Sequence, residues 1–275
     1  MIDKYRVGSY TIPNLRIGGL SLRVPVGVMD ERPFPKDKLI VGFMGSAGKE
    51  SDIRGHVFEP GSEHKERGEM IGEIIARSGA ILSNGGVWGV PYYPIRGAYR
   101  SGGFTMAISP YPDEKSHIAK NPIKHLNLII YVGVKSPINP GFEFVFRDSI
   151  NTLYPDVVVS DGGRWGSLDE DVHVLEQGGI FVPVRGSGGA TDILIDIIES
   201  KKIKKDMGAK VIIPKDTSQQ SLESAILIAI EEAHKRWGEE DRKENRFADV
   251  AYMIEREMKW YRRWPILREI TSPFL

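Results

Sequence analysis

Seven short, nearly continuous runs of apolar residues recur along this 275-residue chain. They lie at 39–44, 80–83, 104–108, 126–132, 156–160, 180–184 and 210–213. Continuous runs, in contrast to alternating ones, are typical of strands that are buried on both faces of a parallel sheet. Segments between them, such as 66–78, carry apolar residues at helical spacing. The pattern predicts an α/β fold with a doubly wound, mostly parallel, Rossmann-like sheet.

The two ends of the chain differ from this repeating centre. Residues 1–38 contain short alternating pieces broken by Gly and Pro, and they are predicted to form a small β-rich leader. Residues 39–235 are predicted to form the Rossmann-like domain, and 236–275 a helical extension. The extension carries the apolar spacing of an amphipathic helix at Phe247, Val250, Ala251, Ile254, Met258, Tyr261 and Trp264. This aromatic stripe could dock on its own domain or form a subunit contact, and we expect a homo-oligomer.

The composition limits the function classes. The 37 basic and 37 acidic residues cancel, which argues against a protein that binds nucleic acid through phosphate neutralisation. No apolar run approaches the ~20 residues that cross a bilayer, and the N-terminus is too polar for a secretion signal. We therefore expect a cytoplasmic protein with neither a membrane nor a nucleic-acid partner.

The chain contains no cysteine and six histidines. The absence of cysteine excludes disulfides, thiolate zinc sites and cysteine nucleophiles. The histidines show no metal-binding spacing, so we expect no metal site and no required cofactor. A bound nucleotide or phosphate is compatible with this composition.

Three glycine-rich turns follow predicted strands, at 45–48, 84–89 and 162–167. The carboxyl ends of parallel strands meet at one edge of a sheet, and ligands bind there, where the strand order reverses. Glycine lets the backbone approach a ligand, and the amides at a helix start attract an anion. None of the turns has the full G-x-G-x-x-G pattern or a P-loop lysine. The predicted ligand- and phosphate-binding residues are Gly45, Ser46, Gly85, Gly86, Gly163, Arg164, Gly166 and Ser167.

Two stretches resemble a known family. The sequence GAILSNGGVWG at 79–89, followed by SGG at 101–103, resembles the G-G-x-x-G strand and turn of the LOG-like proteins. The sequence SDGGRWGSLDE at 160–170 is similar to their P-G-G-x-G-T-x-x-E signature. The resemblance covers roughly residues 39–200. The wider SLOG superfamily includes nucleoside-monophosphate phosphoribohydrolases, a molybdenum-cofactor carrier and sensory nucleotide-binding domains.

The resemblance implies roles for individual residues. The signature glutamate corresponds to Glu170 and the signature threonine to Ser167. The family arginine, 23 residues before that glutamate, corresponds to Arg147, so Arg147 and Glu170 are the candidate catalytic residues. Three departures are visible: Gly162 replaces the signature proline, Arg164 replaces the second signature glycine, and Arg147 lacks the usual M-x-x-R-K context. Arg164 could crowd the phosphate position or add a charge-assisted contact to it.

Two functions remain open for this set of residues. A carboxylate beside a sugar stabilises the oxocarbenium-like transition state in which an N-glycosidic bond breaks. Glu170 could therefore serve in a hydrolase, namely a phosphoribohydrolase that acts on a nucleoside 5′-monophosphate. Alternatively, the chain is a non-catalytic nucleotide sensor or a binding protein like the molybdenum-cofactor carrier, and Glu170 is an ordinary acidic residue near a helix start. The expected partner in both cases is a small nucleotide-like ligand. Trp88 and Trp165 could stack on its base or simply pack.

Overall fold

One sheet organises the part of the chain that the structure describes. The computed structural model describes residues 8–17, 20–28, 35, 38–48, 62–133, 142–200 and 208–236. The strands within these ranges are β1 Gly8–Ile17, β2 Leu20–Val28, β3 Ile40–Gly45, β4 Ile81–Asn84, β5 Thr105–Ser109, β6 Leu128–Tyr131, β7 Val157–Asp161, β8 Ile180–Pro183 and β9 Lys210–Val211. The seven predicted strands correspond to β3–β9, and the fold class is confirmed.

The order of the strands is β1-β2-β6-β5-β4-β3-β7-β8-β9. Strands β3 to β9 are parallel to one another. From β3 the chain moves outward through β4 and β5 to β6, then crosses back to place β7 on the other side of β3. The strand order therefore reverses between β3 and β7, which is where this architecture binds ligands.

The predicted β-rich leader contains the hairpin of β1 and β2. Strand β2 pairs antiparallel with β6, with Val26 opposite Ile130 and Val28 opposite Leu128. The hairpin therefore extends the edge of the main sheet. The leader and domain boundaries remain predictions, and the predicted extension lies beyond α7, outside the described residues except for Arg236. The aromatic stripe and the homo-oligomer also stay predictions.

Helices cover both faces of the sheet. They are α1 Ser62–Arg77, α2 Tyr92–Arg100, α3 Glu114–Ile118, α4 Phe142–Leu153, α5 Trp165–Glu176, α6 Gly189–Ser200 and α7 Gln219–Arg236. On one face α1 packs against α2 and α7, and on the other α5 packs against α4 and α6. The short helix α3 was not predicted, because its stability comes from a local cap. The Asp113 carboxylate accepts a hydrogen bond from the Ser116 amide at 2.7 Å.

Each central strand contributes side chains to both faces. In β3, Val41 and Phe43 belong to the core beneath α1 and α7, whereas Met44 belongs to the core beneath α5. In β8, Val182 belongs to the core beneath α1 and α7, whereas Phe181 belongs to the core beneath α5. Each large side chain so buried contributes about 1.5–3 kcal/mol to folding. Burial on both faces explains why the strands read as continuous apolar runs. No helix in the described part of the chain is long and apolar enough to span a membrane.

Candidate functional site

The exits of β3 and β7 lie side by side at the reversal of strand order. Gly45, the last residue of β3, pairs in register with Asp161, the last residue of β7. The Arg164 guanidinium reaches from the β7 exit to the β3 exit, where Nη2 donates to the Ala47 carbonyl at 2.6 Å. The departure from the family signature at Arg164 thus forms a bridge between two of the predicted ligand-binding turns.

The turn after β4 joins the turn after β3. The Val90 amide donates to the Ser46 carbonyl at 3.0 Å, and the Gly48 amide donates to the Trp88 carbonyl at 2.9 Å. Gly89 has a φ of +103°, and a Cβ there would lie 2.5 Å from the Ser46 carbonyl oxygen. Only glycine permits this approach. The three predicted turns therefore form one continuous surface.

Ser46 has an unusual environment at the exit of β3. Its side chain is buried, and its Oγ has no hydrogen-bond partner among the described residues. Leaving a buried hydroxyl unsatisfied costs about 1–3 kcal/mol. Ser46 does not cap α1, which begins only at Ser62. An unsatisfied hydroxyl in this position is suited to donate to a ligand.

The start of α5 supplies backbone donors beside these turns. Arg164 is the N-cap, in an extended conformation with no side-chain capping bond. The first-turn amides of a helix lack intrahelical partners, and the helix dipole favours an anion there. A Cβ on Gly166 would meet nothing within 4 Å, so this first turn is open. Gly163 has a φ of +109°, and Ser167 packs closely over it.

Arg147 and Glu170 come together across the contact between α4 and α5. Arg147 Nη1 lies 3.8 Å from Glu170 Oε1, and both side chains are buried. The guanidinium also lies on Gly85, where a Cβ would overlap Nη1 and come within 3.0 Å of Cζ. Arg147 therefore connects the pair to the turn after β4.

Two further residues of α4 belong to this group and were missed from the sequence. Asp148 Oδ1 lies 2.8 Å from Arg147 Nε, and Asn151 Nδ2 donates to Glu170 Oε1 at 2.9 Å. Burial raises the pKa of Glu170 to about 8, with Asp148 adding to the effect and Arg147 opposing it. Burial likewise raises the pKa of Asp148. Asn151 stands four residues after Arg147, and this helical spacing was the available signal.

A second buried ion pair anchors the β7 exit to α1. The Asp161 carboxylate accepts hydrogen bonds from Arg67 Nε at 2.6 Å and Nη2 at 2.7 Å. His64 Nδ1 lies 2.8 Å from the same carboxylate. The sequence gave no signal for the pairing of Asp161 with Arg67 or His64, because the contact joins residues far apart in the chain.

Two glycine-rich turns, one after β4 and one before α6, have amides with local roles in the described structure. The Gly86 amide donates to Asn84 Oδ1 at 2.9 Å, so it stabilises its own turn. In the glycine-rich turn before α6, the Asp192 carboxylate accepts from the Gly186 and Gly188 amides at 2.8 and 2.9 Å. The Gly86, Gly186 and Gly188 amides are thus engaged within the protein.

Aromatic side chains flank the exits, and metal-binding clusters are not found. Trp165 is 84% exposed at the first residue of α5, whereas Trp88 packs on Tyr92 with ring centroids 4.9 Å apart. Trp165 thus makes little contact with the described residues. Throughout the described ranges, no group of three or more His, Asp or Glu residues could hold a metal ion.

Comparison with known families agrees with this architecture. The model of the SLOG cluster4 family, LDcluster4, matches residues 38–222, which is more than half of the chain. The chain belongs to the SLOG cluster4 family. The match spans the parallel sheet from β3 to β9 and all three glycine-rich turns, so the resemblance noted in the signature stretch is confirmed.

Individual relatives of this SLOG cluster4 chain match it at low identity. An uncharacterized protein from Archaeoglobus fulgidus is 28% identical over 108 residues, which are 39% of this chain and 62% of that protein. The chain thus matches less than two thirds of that relative. The X-ray structure of TM1055 superposes with a TM-score of 0.54 and 25% identity, over 70% of this chain and 99% of that chain.

Two further solved structures belong to proteins that are described with a ligand. The molybdenum cofactor binding protein from Rippkaea orientalis gives a TM-score of 0.51 and 21% identity, over 70% of this chain and 98% of that one. DNA processing protein A from Helicobacter pylori, described with a single-stranded DNA binding mode, gives 0.52 and 17%, over 80% and 96%. At these identities the likeness shows the fold alone.

Proposed function

We propose that this SLOG cluster4 protein binds a phosphate-bearing, nucleotide-like small molecule at the exits of β3, β4 and β7. The observation that carries the proposal is the joining of the three glycine-rich turns around the open first turn of α5. Amides that converge at a helix start favour an anionic group. The unsatisfied Ser46 hydroxyl, buried at the exit of β3, supports a ligand at the same edge.

The proposed ligand would lie between the α5 start and the Arg147 group. Its phosphate would bind the amides near Gly166 and Ser167, with Arg164 adding a charge-assisted contact. The rest of the molecule would extend toward Glu170, which lies in the second turn of α5. Trp165 offers an exposed ring on which a heteroaromatic base could stack.

Binding without turnover is the version that the burial and raised pKa of Glu170 favour. A hydrolase of this kind needs Glu170 as a carboxylate, to stabilise positive charge on the sugar or to activate water. With its pKa raised to about 8 by burial, the carboxyl is mostly neutral at pH 7. The second candidate is hydrolysis of a nucleoside 5′-monophosphate, which is favoured by the contact between Arg147 and Glu170.

Two measurements on the purified full chain test the proposal. Calorimetry with AMP and with adenosine should give at least about tenfold tighter binding of AMP, because only AMP carries the phosphate. Equal affinities, or no binding of either, would remove the phosphate site. Chromatography of the same mixtures distinguishes the two versions: unchanged AMP supports binding alone, whereas released adenine supports the phosphoribohydrolase.

A further inference from the structure

The group around Arg147 contains one cation and two acids. Arg147, Asp148 and Glu170 are each less than one-tenth exposed. Arg147 Nε lies 2.8 Å from Asp148 Oδ1, and Nη1 lies 3.8 Å from Glu170 Oε1. If both acids were ionised, the group would carry a net negative charge in a buried position.

The neighbouring elements do not supply a second cation to these acids in the described structure. On α5, the half-exposed Asp169 lies 4.0 Å from His173. Asp171 is fully buried and accepts from Ser160 Oγ of β7 at 2.8 Å. From β3, the neutral Met44 sulfur contacts Asn151 Nδ2 at 3.2 Å. The charges facing the two acids are therefore those of Arg147 and of acidic or weakly basic neighbours on α5.

Two adjacent buried carboxyls that share one guanidinium cannot both ionise readily, and such a pair titrates as a unit. Arg147 is closer to Asp148, so the negative charge is more stable on Asp148 and the proton on Glu170. Glu170 Oε1 accepts a hydrogen bond from Asn151, which leaves Oε2 available to carry the proton. The raised pKa of Glu170, caused by burial and by Asp148, agrees with this distribution.

We propose that Asp148 and Glu170 share one proton at neutral pH, and that this proton keeps the Arg147 group electrically neutral and able to accept an anionic ligand. Asp148 is then a positioning residue that acts through Glu170. Loss of the proton at higher pH adds one negative charge beside the phosphate site. The part of the inference that concerns the ligand rests on the proposed function, whereas the shared proton does not.

The shared proton is tested on the ligand-free full chain by carbon-detected NMR titration of the side-chain carboxyls. The Glu170 signal, identified by its loss in Glu170→Gln, should titrate near pH 8 in the unmodified protein. In Asp148→Asn its midpoint should fall by about one pH unit or more, since the neighbouring acid is gone. Glu176→Gln, which removes an exposed acid at the end of the same helix α5, is the matched control and should leave the midpoint unchanged.

Two outcomes overturn the shared proton: a Glu170 midpoint near pH 4.5 in the unmodified protein, or an unchanged midpoint in Asp148→Asn. The first needs no variant and so does not depend on the folding of Asp148→Asn. The effect on the ligand is tested by calorimetry with AMP between pH 7 and 9. The affinity should fall about tenfold in the unmodified protein and much less in Asp148→Asn.

The two proposals fail separately. A pH-independent affinity for AMP would overturn the electrostatic role of the proton. Absence of AMP binding at every pH, with the Glu170 titration as expected, would refute the proposed function and leave the shared proton standing.

Discussion

Replacing Asp161 with Asn removes one charge from the buried contact between α1 and the exit of β7. Asp161 is fully buried and accepts two hydrogen bonds from the Arg67 guanidinium. Arg67 is only 6% exposed, so its positive charge would remain buried without a full partner. Removing one member of such a pair costs about 3–5 kcal/mol. For a domain of this size, that loss lowers the melting temperature by about 6 to 20 °C.

The assay is urea unfolding at pH 7, followed by circular dichroism, with a thermal melt of the same samples. The matched control is Glu199→Gln, which breaks the ion pair with Arg185 at the protein surface and should leave the midpoint unchanged. Adding Arg67→Met to Asp161→Asn should recover part of the loss, since the unpaired charge is then removed. If Asp161→Asn unfolds at the same urea concentration as the control, the buried pair does not hold α1 against β7 and the reasoning is refuted.

Three further substitutions test the site. In Gly85→Ala the new methyl group would displace the Arg147 guanidinium, so AMP affinity measured by calorimetry should fall about tenfold; unchanged affinity would count against the role of Arg147. Because the raised pKa lets folded Glu170 keep a proton that the unfolded chain releases, stability should fall by about 1.4 kcal/mol per pH unit between about pH 4.5 and 8. In Glu170→Gln, the free energy of unfolding measured in urea should lose this part of its dependence on pH between pH 5 and 8. Equal pH dependence in the variant and the unmodified protein would contradict the raised pKa. In Arg164→Gly the bond to the Ala47 carbonyl is lost, and AMP should bind about tenfold more weakly; equal binding would exclude Arg164 from the anion site.

The central sheet could be predicted from the sequence because two layers of helices bury both faces of its strands. Val41 and Met44 face opposite cores, so no polar alternation interrupts the run. The convergence of the glycine-rich turns followed from the same geometry, since parallel strands end at one edge. The spacing of Arg147 and Glu170 came from the family resemblance, and their contact in the structure agrees with it.

The side-chain network around the site could not be predicted in the same way. Arg67 and Asp161 are 94 residues apart, and a contact at that separation leaves no periodic pattern. In the sequence, nothing distinguishes Asp148 from an acid on an exposed helix face. Only the packing of α4 on α5 reveals its burial beside Glu170. Asn151 was accessible in principle from helical spacing, but its polarity gave no reason to expect a buried position.

The pairing of the N-terminal hairpin with β6 has a consequence for how the chain acquires its structure. Val28 is translated long before Leu128, its partner in the ladder, so the hairpin cannot take its final place until most of the parallel strands have been synthesised. From the synthesis of β6 until the hairpin docks, the hydrogen-bonding groups of the outer edge of β6 stay unpaired, and such edges promote association between chains. Contacts so distant along the chain also form slowly. Docking of the N-terminal hairpin on β6 is thus expected to be a late step of folding. The newly synthesised protein is expected to be most prone to aggregation before this step is complete.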